Sequence, residues 1–393
     1  MNATSFTNPS VQTMAAEFQL PEYICYLNCA SKSPMARRVE QAGIDAFRTK
    51  RLPYEVSNQD FYGIPKLLRE EFANLINCPN PERVAIIPSV SYGIAQVANN
   101  VKTKEGEEII LAAEQFPSDV YVWQKLADKT GAIIKFVSPP DSSTERGKAW
   151  NQAILNAIGP KTALVCIGNI HWTDGTIFDL AAIRKRTREH QALLIVDGTQ
   201  SVGVMPMDVE SLQPDALICA GYKWLMGPYS IGLGYYGEAF DEGEPIEENW
   251  KNRLGSENFA DLVNYQPQYK DFAIRYEVGE STNFFLAPIQ TEALKMINET
   301  GPLNIHEHCR EISTNFIQEI QQDGAWMENS ADRAAHLFGV KLPAGTDIKA
   351  LKVLLEKEHV FVSVRGNFIR IAPHVYNTEA LFQKLLTSIR TIL

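Results

Sequence analysis

The sequence predicts an α/β protein: a large, mostly parallel sheet covered by helices, followed by a smaller α+β unit. The chain has 393 residues, more than one compact core usually holds. From about residue 60 to residue 237, short apolar runs alternate with segments of helical period. Strands buried on both faces by crossover helices read as continuous apolar runs of this kind. Beyond residue 240 the chain turns acidic and is broken by glycine and proline, and a different pattern follows.

The elements come in order. "YGIPKLLREEFANLIN" (62–77) has helical spacing, and "RVAIIPS" (83–89) is a short strand ending in a turn. "SYGIAQVANNV" (91–101) returns to helix, followed by the strand "EIILAA" (108–113), the helix "DVYVWQKLADKTG" (119–131) and the strand "AIIKFV" (132–137). After the helix "WNQAILNAI" (150–158) come the strand "ALVCIG" (163–168) and the basic helix "DLAAIRKRTREHQ" (179–191), read as a solvated face. Three more strands follow: "ALLIVDG" (192–198), "DALICAG" (215–221) and "IGLGYYG" (231–237). "YGEAFDEGEPIEENWKN" (236–252) reads as an exposed insertion. A long helical stretch then starts after "NFFLAPIQ" (283–290). It leads to "AHLFGVKLP", "TDIKALKVLLEKEHV", "FVSVRG", "FIRIAP" and a closing helix. The expected division is an N-terminal arm over 1–20, a large domain over 21–285 and a small α+β domain over 286–393.

Composition excludes several classes of function. Hydrophobic residues make up 45% and charged residues 21%, ordinary for a globular protein. A net charge of −10 disfavours nonspecific grip on nucleic acid or anionic membrane, but allows a small anion in a local positive site. Six scattered cysteines with no CxxC pair point to reduced thiols, not to a disulfide framework or metal site. The N-terminus lacks the basic head and apolar run of a signal peptide. No stretch approaches the roughly 20 apolar residues of a membrane span. The expected location is cytoplasmic.

In open α/β sheets, ligands bind beyond the carboxyl ends of the strands. There "ALLIV" runs straight into Asp197, a carboxylate costly to desolvate without a cation or strong donor. Lys223 sits between two apolar, glycine-marked runs. Taken alone, the two residues would make an ordinary structural ion pair. Their neighbours point elsewhere. "VDGTQS" (196–201) supplies Asp197 and Gln200, and "GYKW" supplies Lys223. "PSVSYG" (88–93) offers backbone N–H groups and serine hydroxyls at a helix N-terminus, which favours a phosphate. "EQFPSDVY" (114–121) offers Phe116 as a ring to stack on. A reactive lysine, a carboxylate for a ring nitrogen, a stacking face and phosphate donors are what pyridoxal phosphate requires of a protein.

In these motifs the chain resembles the class V aminotransferase-type, fold-type I pyridoxal phosphate enzymes, which include cysteine desulfurases, kynureninases and isopenicillin N epimerase. The resemblance runs from "YLNCASKSP" (26–34) to "FIRIAPHVYNTEA" (368–380), and is most specific in "VDGTQSVG" followed by "GYKWLMGP". It implies the fold of a fold-type I PLP-dependent transferase, with a mostly parallel seven-stranded sheet and a C-terminal α+β domain. It implies Lys223 as the Schiff-base lysine and Asp197 as partner of the pyridine nitrogen, the two catalytic residues. Gln200 falls near the cofactor's phenolic oxygen and Phe116 on its ring. Ser89, Val90 and Ser91 fall in the phosphate loop, Tyr222 at the phosphate-contacting position, and Thr173 among the cofactor contacts. "VGESTNF" (278–284) resembles a segment that reaches the phosphate from a neighbouring subunit. Thr282 is thus implied as a donor in trans, and the protein as a homodimer with shared sites. Arg370 matches the arginine that grips the substrate α-carboxylate, with Asn28 and Arg365 as further substrate-binding positions.

The departures narrow the reading. The desulfurases carry a nucleophilic cysteine on a loop after the arginine matching Arg365, but here "VRGN" passes directly to "FIRIAP". Kynureninases usually have histidine where Gln200 stands, although "FPSD" and Tyr222 follow their form. Trp172 occupies the place of the desulfurases' cofactor-contacting asparagine and suits either a pocket wall or plain packing, as does His171 beside it. The expected activity is transamination of an amino acid, with a keto acid as partner. A lyase or hydrolase breaking a bond at Cβ or Cγ is the alternative. A non-catalytic pyridoxal phosphate-binding scaffold is the third reading, opposed by the joint presence of Lys223, Asp197 and Arg370.

Overall fold

A computed structural model describes residues 8–140, 145–365 and 368–393. Its centre is a seven-stranded sheet in the order Val84–Ile87, Gly232–Tyr236, Ala216–Ala220, Leu193–Asp197, Thr162–Gly168, Glu108–Ala112 and Ile133–Val137. Gly232–Tyr236 alone runs antiparallel to its neighbours. The other pairings in the sheet are parallel.

The pleat explains why these strands read as unbroken apolar runs. Successive side chains point to opposite faces, and here each face is a core. Ile110, Val165, Leu194, Val196 and Leu217 fill one cluster. Ile109, Leu111, Leu164, Ile195 and Ile218 fill the other. The edge strand Ile133–Val137 is the exception, with Lys135 paired to Glu108 at 2.8 Å; in an inner strand, with both faces dry, no interior position is left for a charged residue. The first polar side chain can appear only where the strand ends, and in Leu193–Asp197 that residue is Asp197.

The second core belongs to the C-terminal part. An antiparallel three-stranded sheet, Ser363–Arg365, Phe368–Ile371 and Phe338–Val340, packs with the helices Pro302–Gln322, Ile348–Lys357 and Glu379–Arg390. The two cores depart from the expected boundaries. Cys25 and Leu27 lie in the C-terminal core, because Cys25–Tyr26 pairs in parallel with Val360–Phe361 and Asn28 bridges to Ala372. Conversely, the helix Leu286–Thr300 buries Ala293, Leu294 and Ile297 in the large-sheet core. A two-residue strand carries no local pattern, so composition cannot show which body it joins.

Helix Arg37–Lys50 lies in a stretch ahead of the first periodic segment read from the sequence. Residues 1–7 of the expected arm lie outside the described residues; the rest of it holds the helix Pro9–Ala15, with Val11 and Met14 buried. The acidic insertion is only partly exposed. Phe240 is buried, and the Gln96 side chain donates to the Glu244 carbonyl (2.8 Å) and accepts from the Ile246 N–H (2.9 Å). On the basic helix, Arg184 departs from a solvated role by pairing with Asp215 at 2.7 Å. All six cysteines are buried and free. No helix among the described residues is long and apolar enough to cross a membrane.

Candidate active site

A cavity of about 260 Å³ opens beyond the carboxyl ends of the central strands, lined among others by Ser89, Phe116, Trp172, Asp197, Tyr222 and Lys223. Its floor comes from the two sequence motifs. After Asp197 the chain turns, and Asp197 Oδ1 accepts the Thr199 N–H at 2.9 Å. Thr199 Oγ1 in turn accepts the Ala220 N–H at 3.1 Å, which ties the aspartate turn to the strand that leads to Lys223. The tie depends on Gly203. Its φ is +100°, and a Cβ there would lie 2.3 Å from the Trp224 carbonyl oxygen, so a side chain would force the two motifs apart.

Lys223 is 8% exposed and forms no ion pair among the described residues. Its Nζ lies 5.5 Å from the Phe116 ring centroid and 5.6 Å from that of Tyr222. Burial pulls its pKa down to about 8, Asp197 opposes the shift, and Arg370 adds to it. Such an amine gives up its proton far more readily than a solvated lysine.

One end of the cavity suits an anion. Helix Val90–Asn100 starts here, capped by Ser89, whose hydroxyl accepts the Tyr92 N–H at 3.2 Å and lies 3.0 Å from the Ser91 hydroxyl. The unpaired first-turn N–H groups of such a helix attract negative charge. Tyr222 and Tyr229 stack over the same cavity, with centroids 3.9 Å apart.

At the other end two arginines stand beside Trp172, behind the residues that line the cavity. Arg370 is 2% exposed; its Nη1 donates to the Trp172 carbonyl and its Nη2 to the Ser31 hydroxyl, each at 2.9 Å. Its Nε is buried without a partner, and it pairs with no carboxylate among the described residues. Burial, with Arg365 adding, pulls its pKa down to about 9. Asn28 Oδ1 accepts from the hydroxyls of Ser31 (3.0 Å) and Ser363 (2.7 Å), so Asn28 orients the serine that Arg370 uses. Arg365 donates to the Val364 carbonyl at 2.9 Å, and its guanidinium lies 5.7 Å from the Trp172 ring centroid.

Other expected residues lie elsewhere or are engaged otherwise. Gln200 lines the cavity, but its Oε1 accepts Trp224 Nε1 at 2.9 Å and its Nε2 donates to the Ala30 carbonyl at 3.3 Å. Thr173 is buried outside the cavity, 2.7 Å from His171 Nδ1. Thr282 donates to the Phe61 carbonyl and accepts from Lys251 Nζ, each at 2.8 Å, within its own chain. Trp172 is a cavity wall: Nε1 donates to the Glu114 carbonyl at 2.7 Å, and the ring meets Phe116 edge-on at 5.4 Å. His171 is core, packed on Trp150 at 4.8 Å.

The sequence reading assigned no role to Asp119, three residues past Phe116. It is 1% exposed, and its Oδ1 has no partner. Its side chain meets that of Asp197; burial first, and then the Asp197 charge, hold its pKa well above the ordinary carboxylate range. Two adjacent buried carboxyls cannot both ionise cheaply, so Asp119 gives up its proton less readily than an ordinary carboxyl. The "D" of "FPSD" was visible in the sequence, but its nearness to Asp197 was not.

These residues fit pyridoxal phosphate. Asp197 and Lys223 face one cavity without pairing, as they must if a ring with its nitrogen and carbonyl at opposite ends lies between them. Phe116 offers a stacking face, and the Ser89 cap a phosphate site. Among the described residues, no group of three or more His, Cys, Asp or Glu could hold a metal ion.

Comparison with known proteins agrees. The family model "Aminotransferase class-V" matches residues 52–379. The chain is 28% identical over 359 residues to the uncharacterized aminotransferase YcbU of Bacillus subtilis, covering 90% of each chain. It is 23% identical to isopenicillin N epimerase of Amycolatopsis lactamdurans over the full length of both. Among solved structures, the cystine C–S lyase C-DES superposes with a TM-score of 0.83 at 22% identity, covering 94% of this chain and 98% of that one. That likeness concerns the fold alone.

Proposed function

Because the chain belongs to the class V aminotransferase family, whose cofactor is pyridoxal phosphate, we propose that it is an aminotransferase acting on a free amino acid. One observation carries this reading. Arg370 is a buried guanidinium with no carboxylate partner among the described residues and an orphaned Nε; it bonds to the carbonyl of Trp172, which lines the cavity with Lys223, and its charge reaches the lysine. A buried, unpaired cation is costly, and a substrate α-carboxylate would satisfy it through a planar two-bond contact.

When bound, the cofactor supplies an electron sink for the charge left at the substrate Cα. The chain supplies the rest. Arg370 and the Asn28–Ser31 pair hold the carboxylate, and Trp172 and Phe116 close the wall against water. Lys223, with its pKa lowered to about 8, would take the proton from Cα and hand it on to the far side of the substrate nitrogen, as a general base of matched pKa does. Asp197, with the Asp119 proton behind it, holds the ring nitrogen in its charged form.

The cysteines support a reading without sulfur transfer. Burial pushes the thiols of Cys25 and Cys29 up to about 12 and holds those of Cys166, Cys219 and Cys309 well above the ordinary thiol range. A persulfide-forming nucleophile needs an accessible thiolate. The second reading, a lyase or hydrolase acting at Cβ or Cγ, is favoured by Tyr222 and by Asp119 of "FPSD". We further place the enzyme in the cytoplasm, on its reduced thiols, as a homodimer whose partner's Thr282 segment completes the phosphate end. An apolar groove of about 550 Å³ lined by Phe61, Ile64, Phe284 and Pro288 supports a docking face for a second copy.

A panel of amino acids incubated with the holoenzyme tests the assignment. Release of one 2-oxo acid per site without ammonia, renewed by adding a second 2-oxo acid, is expected. Continuous release of ammonia would replace it with the lyase reading.

A further inference from the structure

The arginine end of the cavity holds more positive charge than one α-carboxylate uses. Ser363–Arg365 and Phe368–Ile371 form an antiparallel hairpin in which Ser363 faces Arg370 and Arg365 faces Phe368. Directly paired residues share a face of the sheet, as do residues two apart along a strand. Arg365 and Arg370 are therefore diagonal neighbours on one face, with Cβ atoms about 7–8 Å apart or somewhat less. Neither pairs with a carboxylate among the described residues. Trp172 carries both: its carbonyl accepts from Arg370, and its ring lies 5.7 Å from the Arg365 guanidinium. The acidic side chains of the site, Asp197 and Asp119, form no ion pair with either arginine among the described residues. In a protein of net charge −10, an unneutralised arginine pair against the cavity-wall residue Trp172 is a local reversal of the field.

We propose that the substrate is an acidic amino acid, whose second carboxylate is held by Arg365 beside Trp172 while Arg370 holds the first. This rests on the reading of Arg370 given above. Both guanidinia meet the same residue, Trp172, so the two carboxylates of one short dicarboxylic chain can be offered to them together. Trp172 supplies the flat apolar wall along which the intervening methylenes lie. Arg365 stays half-exposed because its ligand is the outer end of the substrate, and its stacking on Trp172 keeps the fork aimed along the wall. A neutral amino acid would leave Arg365 facing water, so discrimination comes from one charge-assisted contact.

Calorimetric titration of the holoenzyme with unreactive acids tests this. Glutarate and succinate should bind roughly tenfold or more tighter than butyrate, the gain expected of one charge-assisted contact. Arg365→Gln should remove that preference while changing butyrate affinity by less than about twofold, and Arg365→Lys should restore part of it. Equal affinity for both classes in the parent, or a preference that survives Arg365→Gln, would overturn the proposal alone. If the parent binds neither class, the carboxylate role of Arg370 falls and this proposal falls with it.

Discussion

The lysine–aspartate end and the arginine end of the cavity are built in different ways. At the first, Asp197 and Lys223 follow strands that are immediate neighbours in one sheet, Leu193–Asp197 and Ala216–Ala220. Their separation follows from strand pairing, and a single hydroxyl, Thr199, stitches the two turns. At the second, Arg370 comes from the C-terminal hairpin, its serine partner from residue 31, and its carbonyl partner from residue 172. Three distant segments must dock before that site exists. The cofactor end is thus part of the large core, whereas the substrate end lies where the two cores meet and is complete only when they are packed together.

Substitutions at the two ends should therefore fail in different ways. The largest effect is expected from Lys223→Ala. Covalent cofactor retained after borohydride reduction, measured by mass spectrometry, should vanish, and turnover should fall by roughly 10²–10⁴-fold from loss of the general base alone. Cofactor still attached in the reduced variant would place the reactive amine elsewhere.

Next comes Asp197→Asn. It is nearly isosteric but removes the charge facing the ring nitrogen, a charge-assisted contact worth about 1.5–3 kcal/mol. Cofactor binding should persist, and turnover should drop by the equivalent one to two orders of magnitude. An unchanged rate would remove Asp197 from the mechanism.

Arg370→Lys tests the other end. The charge stays but the fork is lost, so the cofactor absorbance should be unchanged while the apparent affinity for the best amino acid weakens by about 2 kcal/mol, roughly 30-fold. If both cofactor spectrum and substrate affinity change together, the two ends are not separable and the contrast drawn above is wrong.

The smallest effect is expected for Asp119→Asn in cofactor-free protein. Asp119 has a folded pKa raised above the unfolded value near 3.9. Its contribution to stability is full below that unfolded value and is lost as pH rises toward the folded one. Asparagine has no such loss. The thermal midpoint of the variant relative to the parent should therefore rise as pH increases above about 4. A difference independent of pH would mean that Asp119 is ionised in the fold.

Much of this was legible in the amino-acid sequence, for a local physical reason. A strand buried on both faces tolerates no polar residue before its end, so the apolar runs announced the seven strands of the sheet and made Asp197 conspicuous where one stopped. Ser89 was marked by the turn chemistry before a helix, and Lys223 by its apolar, glycine-rich flanks. Each of those signals lies within a few residues of the group it identifies. The partnerships that decide what the groups do are different in kind. Asp119 against Asp197, Trp172 beneath both arginines, and Cys25–Tyr26 in the C-terminal body join residues from 78 to over 300 positions apart in the numbering of the chain. Periodicity and propensity act over one or two turns of chain, while burial and unpaired charge are properties of an assembled interior. Only the tertiary structure could show that burial and a neighbouring carboxylate raise the pKa of one aspartate and that two arginines meet at Trp172 with no carboxylate of their own among the described residues.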